Sequence, residues 1–81
     1  MQFSDKEVSD LYEYIGKRVK ELRESRNMTQ LELSLEMGYR SVSLISAAEL
    51  CNDGKHFNIE HLYKISKILD EDIEYFFSQK I

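Results

Sequence analysis

At 81 residues the chain has length for one small core and not for two domains. Hydrophobic residues at 42%, charged residues at 32% and no proline exclude a disordered tail and favour an all-α bundle over a sheet. The net charge of −4 speaks against a generic phosphate-binding surface, although five bases face two acids between Lys17 and Arg26 while acids gather toward the two ends.

A single cysteine forms no internal disulfide, and no apolar stretch approaches the roughly 20 residues of a membrane span or the shorter core of a signal peptide. A reducing, cytoplasmic setting without a membrane is therefore expected. Ser4 reads as an N-cap, with Glu7 to close a capping box and Phe3 and Val8 as a hydrophobic staple. The first helix is predicted to run to about Arg26. Val8, Tyr12, Ile15, Val19 and Leu22 share one face and are assigned to the core. Gly16 costs on the order of 1 kcal/mol in a helix, which implies that another backbone approaches it closely.

Thr29 with Glu32 is a second capping box. Leu31, Leu33, Leu35 and Met37 alternate as in a strand, but the capping residues decide for helix, and Gly38 ends it. Ser41 is the predicted N-cap of a third helix that turns Ile45 and Ala48 inward. Asn52-Asp53-Gly54 is a turn, and Asn58 caps a fourth helix whose stripe is Leu62, Ile65 and Leu69, widened by Ile68. A last short helix after Asp72 presents Ile73, Phe76 and Phe77. The expected architecture is one domain over residues 1–81, a five-helix orthogonal bundle around one core.

Thr29-Gln30, Leu33, Gly38, Ile45, Glu49, Leu62, Ile65, Leu69 and Phe77 together resemble the phage-repressor-like helix-turn-helix family, the Xre or Cro/repressor type, over about Ile15 to Phe77. The resemblance implies a lambda-repressor-like fold and a transcriptional regulator, with repression expected, that binds double-stranded DNA as a homodimer. In such proteins the second helix of the motif enters the major groove and the first braces on the backbone. It places Gln30 on a phosphate, with Asn52 and Lys55 in the loop before the fourth helix as further phosphate contacts, and the charged face of the first helix adds Lys17 and Arg18. It pairs Arg23 with Glu49 as a structural ion pair and seats Phe77 on the core.

Gly38-Tyr39-Arg40-Ser41 is one residue longer than the linkage usual in that family. The groove-facing set becomes Arg40, Ser41, Val42, Ser43, Ser46 and Ala47, in which Arg40 alone is a strong reader of guanine or phosphate. Tyr75, Phe76 and Ile81 are expected at the dimer interface, with the long first helix around Val8, Leu11 and Tyr12 adding to it. Cys51, His56 and His61, spaced by five, lack a fourth metal ligand nearby, so no metal or cofactor is expected. Glu49 has no partnering acid, base or nucleophile, and no enzymatic activity is expected. The alternative function is an antitoxin-like or adaptor protein with a protein partner and secondary DNA binding, to which the acidic total and the sparse third helix point.

Overall fold

The structure is a computed structural model that describes residues 2–78. Four α-helices, α1 (Asp5–Ser25), α2 (Gln30–Glu36), α3 (Ser43–Leu50) and α4 (Ile59–Ile68), are joined by short connections. The described residues hold no strand. The expected fifth helix is instead a single 3-10 turn, Ile73–Phe76, and a smaller one covers Asn52–Gly54. Four residues cannot make the successive i to i−4 bonds that sustain an α-helix, and the 3-10 form closes the turn with fewer.

Capping chemistry sets most boundaries. The Thr29 hydroxyl accepts the Glu32 N–H and the Glu32 carboxylate accepts the Thr29 N–H, closing the box at the start of α2. These bonds also hold the Glu32 carboxyl below its usual range. At Ser4 half of the expected box forms: its hydroxyl accepts from the Glu7 amide at 3.1 Å, while Phe3 stays exposed. Ser41 is not the N-cap of α3. That position falls to Val42, one residue later, which offers no side-chain bond.

Three of the four helix C-termini follow one device. After α2, Gly38 takes φ +93°, its N–H bonds the Leu35 carbonyl and the Tyr39 N–H bonds that of Ser34, the two bonds of a Schellman motif. Asn27 and Asp70, both at φ 55°, end α1 and α4 in the same way. Asparagine and aspartate tolerate this left-handed region better than other residues with a Cβ.

Ile15, Val19 and Leu22 of α1 meet Leu33, Met37, Ile45, Ala48, Phe57, Leu62, Ile65, Leu69 and Phe76 in one core. The apolar stripe of α1 outruns that core: Val8 is exposed and Tyr12 half-buried, because the first turns of the helix overhang the bundle. Leu33 and Met37 face inward while Leu31 and Leu35 face solvent, so the strand-like alternation resolves into two faces of one helix. At the C-terminus the expected roles of two neighbours are exchanged. Phe76 is fully buried and cannot serve a dimer interface, whereas Phe77, expected on the core, is 40% exposed.

The cap of α4 holds a titratable group. The Asn58 amide donates to His61 Nδ1 at 3.0 Å and the His61 amide to Asn58 Oδ1 at 2.8 Å, with the imidazole edge-on to Phe57 and Tyr39. Burial pushes the His61 pKa down, and nearby Lys64 and His56 add to this against an opposing Glu60. The unfolded chain then binds the proton more tightly than the folded one, so stability should fall as pH drops through the ordinary histidine range toward the lowered value. Urea midpoints measured from about pH 7.5 to about 5 should show this slope. A His61→Gln variant, which keeps a side chain able to reach the cap, should flatten it.

Candidate nucleic-acid interface

Helices α2 and α3 form a helix-turn-helix, and three features hold α3 against the bundle. The first is a close crossing. A Cβ on Gly16 of α1 would stand 2.7 Å from the Glu49 carbonyl oxygen and 2.8 Å from that of Ala48, so only glycine lets the last turn of α3 lie on α1. The second is charge. Arg23 Nε and Nη2 donate to the two Glu49 carboxylate oxygens at 2.8 and 3.1 Å, and Nη1 donates to the Met28 carbonyl at 2.8 Å.

This fork is buried, with 8% of the Arg23 side chain and 1% of the Glu49 side chain exposed. The bond to Glu49 raises the Arg23 pKa, against the effect of burial. Gln30 completes the cluster by donating from Nε2 to Glu49 Oε1 at 2.9 Å. Its second amide hydrogen is left for another acceptor. The third feature is the hydroxyl of buried Ser34, which donates to the Ser41 carbonyl in the turn.

The remaining surface of α3 and its turn carries the residues expected in a groove. Arg40, Ser41 and Ser43 are exposed, and Val42, Ser46 and Ala47 are half-buried. The Ser46 hydroxyl is donated to the Ser43 carbonyl of its own helix at 3.3 Å. Beyond α3, Asn52 and Lys55 are exposed, and the Lys55 amide bonds the Asn52 carbonyl.

The three arginines of the basic run are engaged within the molecule. Arg18, expected on a phosphate, lies over the Tyr75 ring at 3.6 Å and donates to the Tyr75 carbonyl, so it secures the C-terminal segment instead. Arg26 donates to the Leu69 carbonyl at 2.9 Å and pairs with Glu71 at 3.7 Å. With Arg23 on Glu49, exposed Lys17 and Lys20, together with the outer edge of Arg26, are what the run offers to solvent. Tyr75 is half-buried beneath Arg18, and Ile81 lies outside the described residues.

Cys51, His56 and His61 do not converge. His56 stacks on Tyr12 at 3.6 Å, His61 turns to Asn58, and the Cys51 thiol faces the Ala48 carbonyl at 3.7 Å, its pKa raised by burial. Among the described residues no group of three or more His, Cys, Asp or Glu side chains could hold a metal ion.

Two residues of this region escaped the sequence reading. Ser34 stands three before Met37, on the inward face of α2, and a hydroxyl there signals a buried partner. Arg26 gives no such sign, because the carbonyls it bonds lie more than 40 positions along the chain.

Among the described residues no helix is long and apolar enough to cross a membrane. Comparison with curated proteins and with solved structures returned no match. A family model described as helix-turn-helix, HTH_3, matches residues 19–76, from the middle of α1 through the last 3-10 turn. That span contains the paired helices, the Arg23–Glu49 fork and the core beneath them, and the chain belongs to the Xre, Cro and lambda-repressor-like helix-turn-helix family of DNA-binding regulators.

Proposed function

We propose that this chain is a sequence-specific regulator of transcription, a repressor that binds double-stranded DNA as a homodimer with α3 in the major groove. The observation that carries the reading is the pinning of α3. A helix with a rigid buried edge and an outward edge of short side chains, Ser43 exposed and Ser46 and Ala47 half-buried, can lie in a groove without rearranging. Gln30 contributes its free amide hydrogen to a phosphate, and Asn52, Lys55 and Lys17 add backbone contacts. Arg40 supplies the base or phosphate contact at the start of the groove. Exposed Leu11, Ile59 and Phe77, beside a shallow apolar groove of about 260 Å³, form the dimer face. Two copies then meet half-sites about 34 Å apart.

The test is fluorescence anisotropy against a labelled duplex from upstream of the gene and a scrambled control, from low to physiological salt. Competitor-resistant binding of two chains to the upstream duplex supports the reading. Equal, weak binding to both that vanishes with salt leaves only the generic phosphate attraction and favours a protein partner. Arg40→Ala should weaken the specific complex by about 1–3 kcal/mol and relax one base position, whereas Gln30→Ala should weaken all sequences alike. Uniform loss in both variants would refute that division.

A further inference from the structure

The turn between α2 and α3 is held by a chain of three serines. Ser34 is fully buried, and its hydroxyl spans seven residues to donate to the Ser41 carbonyl. The Ser41 Oγ accepts the Ser43 amide at 3.3 Å and donates to the Ser43 hydroxyl oxygen at 3.2 Å. Val42, at the N-cap, offers no side-chain bond, so Ser41 does that work for the first turn of α3 from one residue further out.

We propose that Ser34 is a positioning residue for sequence recognition, setting through Ser41 where α3 begins and how Ser43 faces the groove. The inference rests on the DNA-binding reading above and adds a residue that touches no DNA. Its physical basis is an asymmetry of environment. Ser41 and Ser43 are exposed, and alone their weak bonds would exchange with water, whereas the Ser34 hydroxyl is shielded from water and keeps its protein partner. The two hydroxyl oxygens stand 3.2 Å apart, so the contact sets where Ser43 Oγ sits at the start of α3. Ser43 then presents a positioned hydroxyl, which can donate to or accept from a base edge in the major groove.

The experiment compares wild type, Ser34→Ala and, as a control, Ser66→Ala, a buried serine of α4 whose hydroxyl bonds within its own helix to the Tyr63 carbonyl. The DNA probes are the tightest duplex that wild type selects from a randomised library and a scrambled duplex. In Ser34→Ala, the preference for the selected duplex should fall about fivefold, the scale of one hydrogen bond, with scrambled binding and its salt dependence unchanged. Amide exchange in the free protein should accelerate at Tyr39 to Ser43 and not in α1 or α4. Ser66→Ala should change neither readout.

An unchanged preference in Ser34→Ala, or equal losses on both duplexes, overturns the role of Ser34 while leaving DNA binding intact. A wild type that enriches no sequence sinks the DNA-binding reading itself, and the recognition role with it.

Discussion

Replacing Glu49 with alanine is expected to cost about 3–5 kcal/mol, a large part of the 5–15 kcal/mol that holds a small domain together. The loss is not the worth of one ion pair in water. It is the penalty of leaving the Arg23 guanidinium buried without its carboxylate, together with the Gln30 amide that donates to the same oxygen. Arg23→Ala should be comparably damaging, because it strands Glu49 and the Met28 carbonyl. Urea denaturation followed by far-ultraviolet circular dichroism reads both. If Glu49→Ala shifts the free energy by less than about 1 kcal/mol, the pair behaves as an exposed one and the proposed anchoring of α3 is wrong.

A paired replacement separates charge from packing. Arg23→Met combined with Glu49→Leu removes both charges and keeps most of the volume, so it should recover much of the stability lost by either single change. It should not recover DNA binding to the same degree, since Gln30 loses the acceptor that orients it.

The second large effect is at Gly16, where even the sign is informative. Glycine to alanine in an ordinary helix stabilises by about 0.4–1 kcal/mol, through helix propensity and a less flexible unfolded chain. Here the new methyl would lie 2.7 and 2.8 Å from two backbone carbonyl oxygens of α3, which cannot swing away as a side chain would. A net loss of about 1–3 kcal/mol is expected, and at about 4–8 °C per kcal/mol a melting curve resolves it easily. Because the displaced turn carries Glu49, the two sites should couple. Gly16→Ala should cost less in a Glu49→Ala background, where the turn is already free to move. Equal costs in both backgrounds would mean that the crossing and the ion pair act independently.

The parts of this protein legible in the sequence are those governed by local chemistry. Thr29 and Asn58 announce helix starts because a cap bonds amides only two or three residues away. Gly38 announces a helix end because the left-handed conformation is cheap for glycine. The stripes of α1 and α4 follow from a repeat of 3.6, and with the framework residues from Thr29 to Glu49 they sufficed to suggest the family. Gly16 signalled a close approach, although nothing local says that α3 makes it.

What tertiary structure alone decided lies where partners are distant or a pattern is too short. Phe76 and Phe77 differ by one position, and a single 3-10 turn with three residues per turn has too few positions for periodicity to say which faces inward. Arg18 and Arg26 looked like part of a basic surface, and their commitment to Tyr75 and Leu69 depends on a C-terminal segment folding back along α1. The longer turn before α3 was expected to end at Ser41, and the folded chain starts the helix one residue later, with Val42 at the cap. The Ser34 hydroxyl reaches across that turn to the Ser41 carbonyl, seven residues on, where a carbonyl of its own helix would have been the local choice.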